Sequence, residues 1–189
     1  MIISFSGAQS TGKTTLLENC KRNHLFSKCE FIPEVTRLVK RKFGVSINEE
    51  GNNITQLCII NQHLENYLTC REGHVIMDRC ILDGVVYTEY LFNNKKVDEW
   101  VLDYARKMFG ELMPKIDTIY YTCPDIPLVD DGERSINKEF RDDIIKLFDK
   151  YKPLCENIVE LKGSVEERME ILKDSIINTG IKKNIAYNY

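Results

Sequence analysis

A three-layer α/β/α domain with a five-stranded parallel sheet is the fold class the sequence predicts, on three observations. Gly7-Ala8-Gln9-Ser10-Thr11-Gly12-Lys13-Thr14 reads G-x-x-x-x-G-K-[ST], between an apolar strand-like run and a helical one. Strand and helix signals then alternate along the chain, which requires a parallel sheet covered on both faces. No internal repeat, low-complexity tract or Pro/Gly/Ser linker divides the 189 residues. Residues 1–180 are therefore expected to form one domain and 181–189 a tail.

Each element has its own signal. Residues 2–6 alternate and carry β-branched and aromatic side chains, and Thr14 to Cys20 has the spacing of a first helical turn. Residues 29–32 form a short strand ended by Pro33-Glu34, and a basic helical segment with Arg37, Lys40, Arg41 and Lys42 is closed by Gly44. Residues 53–70 place Ile54, Leu57, Cys58, Leu64 and Leu68 on one helical face, with Gln56, Gln62, His63 and Glu65 elsewhere. Residues 74–78 read as the third strand. Two helices follow, over 82–92 and 98–109, the second with Trp100, Val101, Tyr104 and Met108 inward. Residues 117–122 are the fourth strand, ended by Cys123-Pro124-Asp125. A polar loop through 130–135 leads to a helix that buries Phe140, Ile144, Leu147, Phe148 and Tyr151. Residues 157–161 are the last strand, and Ser164-x-x-Glu167 is a capping box that opens the last helix.

Composition narrows the setting. A hydrophobic share of 43% and a charged share of 29% are ordinary for a soluble globular chain. The net charge of −3 gives no general pull towards nucleic acid or an acidic membrane, so neither is expected as a partner. Seven scattered cysteines without a C-x-x-C pair suit reduced thiols in a cytoplasmic compartment, and argue against a disulfide framework or a zinc site. With a strand expected from the first residues, no targeting segment is expected, and no apolar run is long enough to span a bilayer. A homo-oligomer is compatible with the sequence and not specified by it.

The glycine-rich stretch is a Walker A phosphate loop. Gly7 and Gly12 permit backbone angles that let the N–H groups of Gln9, Ser10, Thr11, Gly12, Lys13, Thr14 and Thr15 converge on phosphate oxygens. Lys13 is placed to reach the β- and γ-phosphates, and the Thr14 hydroxyl to ligate Mg²⁺.

In a doubly wound sheet the ligand lies beyond the carboxyl ends of the strands. Asp78 ends the third strand where a Walker B acid would hold Mg²⁺, and Arg79 follows it. AAA-type ATPases typically place a glutamate there to orient water; a guanidinium suits phosphoryl oxygens or an acceptor instead. The alternative is an Asp–Arg pair that merely caps a strand. A GTPase is disfavoured as well, because Thr122-Cys123-Pro124-Asp125 stands where Asn-Lys-x-Asp should follow the fourth strand.

Glu34, after the second strand, is either a base for an acceptor hydroxyl or an acid that satisfies a helix dipole. Arg37 lies three residues on and can pair with it. The two point to different acceptors: a carboxylate suits a hydroxyl, whereas Arg37 with Arg79 suits a nucleotide. Arg134 and Arg141 fall in a loop, about 125–141, where a lid would close over a migrating phosphoryl group, unless they are simply solvated. Gln62 can hydrogen-bond a base edge or face solvent. The basic run 37–42 is most simply a solvated helix face, with phosphate or nucleic-acid contact, as in a polynucleotide 5′-hydroxyl kinase, as the lesser reading.

Together these motifs resemble the P-loop kinases related to the nicotinamide riboside kinase module of the bacterial NAD regulator, a group often labelled an AAA domain. The resemblance covers residues 1 to about 175. It rests on Gly7–Thr14, on Pro33-Glu34-x-x-Arg37, on Asp78-Arg79-x-x-x-Asp83-x-x-x-Tyr87, and on Asp131-Gly132-x-Arg134 followed by Arg141. It implies a P-loop kinase fold, ATP with Mg²⁺, and phosphorylation of a nucleoside or nucleotide, with Arg134 and Arg141 as lid arginines. Asp83 and Tyr87 would line the acceptor side. The layout is also similar to that of deoxynucleoside kinases, in which a glutamate after the second strand is the base and a glutamine reads the nucleobase. Two departures from that pattern are Asp78-Arg79-Cys80 in place of Glu-Arg-Ser, and a glutamate that follows its proline.

Overall fold

The computed structural model describes residues 1–70, 74–127 and 137–178. Five parallel strands, β1 (Ile2–Ser6), β2 (Cys29–Ile32), β3 (His74–Asp78), β4 (Thr118–Thr122) and β5 (Ile158–Leu161), lie in the order β2-β3-β1-β4-β5. The register pairs Phe5 with Asp78 and Ser6 with Tyr121, so β1, β3 and β4 end at one level. The chain leaves each of them into the same space.

Seven helices are described: α1 (Lys13–Arg22), α2 (Val35–Phe43), α3 (Asn53–Thr69), α4 (Ile81–Asn93), α5 (Glu99–Leu112), α6 (Lys138–Tyr151) and α7 (Val165–Asn178). Strand alternation divides the core. Ile3, Phe5, Ile76 and Tyr120 pack with α1 and α7 through Leu16, Leu17 and Leu172. Ile119 and Tyr121 point the other way, onto Val85, Val86, Ala105, Phe140 and Phe148 of α4, α5 and α6. Both faces of the sheet are thus covered, as the near-continuous apolar strands require. The capping box at α7 is formed: the Ser164 N–H donates to Glu167 Oε2 at 2.7 Å, and the Glu167 N–H to Ser164 Oγ at 3.2 Å.

Two helices are turned differently from their sequence patterns. In α5 the buried residues are Val101, Leu102, Ala105, Phe109 and Leu112, and Trp100 is 54% exposed instead of inward. A shift of one residue is about 100° of helix rotation, enough to carry a side chain off the buried stripe. In α3 the buried residues are Thr55, Gln56, Ile59, Ile60, His63 and Asn66, while Ile54 and Leu68 are exposed. Polar residues go inside because partners await them there. The Thr55 hydroxyl donates to the Ser46 carbonyl at 2.9 Å, and that of Thr88 to Gln56 Oε1 at 2.9 Å.

Candidate active site at the carboxyl edge of the sheet

The phosphate loop is shaped by its glycines and by β4. Gly7 has φ +140°, and a Cβ there would lie 2.6 Å from Thr122 Oγ1 and 2.8 Å from the Thr122 carbonyl oxygen. The Thr11 and Thr122 hydroxyls are 2.7 Å apart, so the end of β4 fixes the crown of the loop. Gly12, at φ +84°, turns the chain into α1.

Lys13 folds back over this loop and donates to the carbonyls of Gly7 at 2.7 Å and Ala8 at 2.5 Å. Its pKa is pulled down to about 7, first by burial and next by the charge of Arg79, against Asp83, Asp78 and Glu34. A buried cation held by neutral acceptors gains its counter-charge when an anion enters the cradle.

Arg79 links three strand ends. Its Nε donates to Glu34 Oε1 at 3.1 Å, and one terminal nitrogen donates to Asp83 Oδ1 at 2.9 Å and to the Gly7 carbonyl at 3.3 Å. Burial works against its charge, but Tyr87, Glu34, Asp83 and Asp78 more than offset it and hold the guanidinium above its ordinary pKa. Its backbone sits at φ +76°, a strained setting for a side chain with a Cβ, concentrated as such strain often is beside a site. Glu34 is gripped from both sides, with Arg37 Nε 2.9 Å from its second oxygen. Burial pushes the pKa of Glu34 up, but Arg79, Arg37 and Lys13 outweigh it and keep the carboxylate below its usual value.

Asp83 faces inward. It accepts from the Ser6 hydroxyl at 2.5 Å, the Cys80 N–H at 3.2 Å and the Gly7 N–H at 3.4 Å. It ties α4 and Arg79 to the root of the phosphate loop. Asp78 is the opposite case: a buried carboxylate with no hydrogen bond or ion pair among the described residues. Burial, and then repulsion by Glu34, push its pKa up to about 6. An unpaired buried acid in one cavity with the Thr14 hydroxyl is a donor set that fits a hard divalent cation bound together with phosphate oxygens.

That cavity has a volume of about 520 Å³ and gathers most of the candidate residues. The loop contributes Gln9, Ser10, Thr11, Lys13 and Thr14; the ends of β2 and β3 contribute Glu34, Asp78 and Arg79; α2 adds Arg37, Lys40 and Arg41. Gln9 Nε2 and Ser10 Oγ are buried there without a partner, polar groups turned to a space that polar ligand atoms would satisfy. Thr15 lies on the first turn of α1 and is not among the lining residues.

Two candidates are placed elsewhere. Gln62 does not line the cavity, and its amide is taken by Glu65 and Asn66, each at 3.0 Å. The glutamine that turns towards the site is Gln56, which with His63, Tyr87, Gly84 and Asp83 lines a smaller space of about 20 Å³ that shares Arg79 and Asn48 with the main cavity. Arg141 is buried beside Phe140 and donates to the Ile126 carbonyl at 2.7 Å, its Nε unpartnered. Arg134 lies outside the described residues, as do Asp131 and Gly132.

Arg168 is the residue that sequence reasoning missed. It is fully buried at the start of α7, where it donates to the Thr11 carbonyl at 2.6 Å, the Gly163 carbonyl at 2.9 Å and the Cys123 carbonyl at 3.2 Å, and pairs with Asp125. An arginine inside an amphipathic terminal helix gives no sequence signal that separates it from a solvated one.

With this geometry in view, comparison with known proteins places the chain. A family model described as AAA domain matches residues 2–168, and the chain belongs to that family. Its fold is that of P-loop kinases. The NadR protein solved in complex with NR superposes with a TM-score of 0.65 at 19% identity, over 86% of this chain and 46% of that one. The chain thus spans less than half the length of NadR. Deoxyadenosine kinase from M. mycoides, with products dCMP and a flexible dCDP bound, gives a TM-score of 0.70 at 13% identity over 95% of this chain and 100% of that one. NadR in complex with NAD and AMP-PNP gives 0.63 at 18% identity over 90% and 47%. No curated protein matches the chain significantly in sequence. Among the described residues no helix is long and apolar enough to cross a membrane.

Proposed function

We propose that this chain is an ATP-dependent phosphotransferase that moves the γ-phosphoryl group to a small nucleoside-type acceptor. The observation that carries this reading is the convergence of Lys13, Glu34, Asp78 and Arg79 on one cavity, a phosphate-loop cation facing a carboxylate across the ends of three strands. Neighbours of the same fold hold NR, deoxynucleotides and AMP-PNP, which is the ligand chemistry this site would take.

In the reaction, an acceptor hydroxyl oxygen forms the new bond to the γ-phosphorus as the bond to the bridging oxygen breaks. The electron pair of that bond leaves on ADP. The hydroxyl proton passes to Glu34, whose pKa is held low, so that it is ionised at neutral pH and ready to accept. Lys13 and the loop N–H groups hold the phosphates. Arg79 would balance the charge as it shifts. Thr14 and Asp78 would hold Mg²⁺, which when bound neutralises phosphate charge.

The test is ADP release with Mg-ATP against ribo- and deoxynucleosides, their monophosphates, nicotinamide riboside and a short oligonucleotide. Strong stimulation by one small acceptor is expected. ATP binding without stimulation by any acceptor would replace this reading with that of a nucleotide-binding regulatory module.

A further inference from the structure

We infer that the acceptor carries a phosphate of its own, away from the hydroxyl that reacts, and that Lys40 and Arg41 bind it; this rests on the phosphotransfer reading. The ground is the face that α2 turns to the cavity. Val35 and Val39 are buried against Ile59 on one side of the helix. Residues 34, 37, 40 and 41 therefore share the other side, at helical spacing, and all four line the cavity.

The inner and outer halves of this face differ in charge balance. Glu34 and Arg37 neutralise each other close to Arg79. Lys40 and Arg41 are exposed and form no ion pair among the described residues. The cavity lining also includes Ile47 and Asn48, which bring no charge. Cations in the last turn of a helix are ordinary complements to its dipole, yet that alone does not turn them into a cavity. Lys42, equally basic and next in the chain, lies outside it, over the Phe43 ring at 5.2 Å.

The spacing sets the class of ligand. From Glu34 to Arg41 the helix rises about 10 Å. A sugar whose free hydroxyl sits at Glu34 and whose phosphate hangs from its opposite side spans most of that distance, and the long side chains cover the rest. A 5′-monophosphate would put its charge at the reacting end, and an unmodified nucleoside would leave both cations facing an uncharged base. The geometry fits a nucleoside 3′-phosphate, free or at the 5′-hydroxyl end of an oligonucleotide.

The experiment is calorimetric titration of the full chain with ADP and Mg²⁺ present. The probes are nucleosides of the four bases, their 3′- and 5′-monophosphates, and the matching 3′,5′-dinucleotides. The 3′-monophosphate is expected to bind about tenfold or more tightly than its nucleoside, since charge-assisted bonds are worth that much. That advantage should shrink with salt and largely vanish in Lys40→Gln/Arg41→Gln, with an unchanged thermal melt confirming that the variant folds. A dinucleotide that binds more tightly than the 3′-monophosphate supports the proposal with an oligonucleotide end as the source; equal or weaker binding supports it with a free nucleotide. Equal affinity for nucleoside and 3′-phosphate, preference for the 5′-phosphate, a preference that survives the double substitution, or no binding overturns it. Binding is read without turnover, so a 3′-phosphate preference without ADP release sinks the phosphotransfer reading and leaves the anion site in place.

Discussion

Arg168 donates to the main-chain carbonyl of Thr11, 157 residues earlier in the chain, at 2.6 Å. The same guanidinium reaches the carbonyls of Gly163 and Cys123 and the carboxylate of Asp125, whose other oxygen takes the Gly163 N–H at 2.7 Å. One side chain thus ties the phosphate loop to the end of β4 and the start of α7. The bond fixes the Thr11 carbonyl within the phosphate loop.

Replacement of Arg168 by alanine leaves the buried carbonyls of Thr11 and Cys123, the Gly163 carbonyl and the Asp125 carboxylate without their donor. The expected loss of stability is about 3 kcal/mol or more, read from the urea midpoint. Arg168→Lys keeps the charge but not the fork, so it should recover part of the stability while the KM for ATP stays raised. Wild-type stability in Arg168→Ala would show that the contact holds nothing together.

Glu34→Gln removes the proposed base and keeps its shape. Loss of a general base lowers kcat by roughly a hundredfold to ten-thousandfold. ATP affinity should change little by comparison, because the nucleotide phosphates are held by the loop and Lys13. If kcat stays within a few-fold of wild type, the carboxylate serves only to position Arg79 and Arg37.

The two glutamines of α3 separate in the same assay. Gln56 turns into the smaller space beside the main cavity and accepts from Thr88, whereas Gln62 is bonded along its own helix. Gln56→Ala should raise the acceptor KM about tenfold, the cost of a hydrogen bond lost at a site built for it, and Gln62→Ala should leave it unchanged. The reverse result would restore Gln62 to the substrate side.

The difference between those glutamines marks where the sequence stopped being legible. Gly7 to Thr14 is a local motif, and Asp78-Arg79 and Glu34 are placed by strand ends, so each could be read from a few neighbouring residues. The buried face of α3 could not. Hydrophobic periodicity points to Ile54 and Leu68, while the structure buries Gln56, His63 and Asn66, with Gln56 accepting from Thr88 of α4 and Asn66 from Gln62 of its own helix. Arg168 is hidden for the same reason, since its partners are main-chain atoms of distant segments. The order of the five strands, too, is a product of tertiary pairing, although their number and parallel sense followed from the alternation of signals.

His63 gives the fold a pH dependence. Its pKa is pulled down to about 4, first by burial, with Asp83 opposing and Arg79 assisting. Between its ordinary value of 6.5 and 4, the unfolded chain binds a proton that the folded one does not, so stability falls as pH drops through that window and levels off below it. Between pH 7 and pH 5 the expected loss from this group is about 2 kcal/mol. Denaturant curves of wild type and His63→Gln should converge by that amount over the same interval; parallel curves would mean that His63 titrates normally.

Asp78 sets stability against function. Its carboxylate is buried and unpaired among the described residues; burial first, and then repulsion by Glu34, push its pKa up to about 6, so ionising it at neutral pH opposes folding of the unliganded chain. Asp78→Asn removes that charge at nearly constant volume. The variant should therefore be more stable than wild type without ligand, by up to about 3 kcal/mol at pH 7.5, and the gain should fade below pH 6 as the native acid protonates. If Thr14 and Asp78 hold Mg²⁺, the same change should cut Mg-dependent turnover by about a hundredfold or more, and Mg-ATP should no longer raise the melting temperature further than ATP alone. A variant that loses stability as well as turnover would place Asp78 among the residues that hold the fold, and another acid would have to serve the metal.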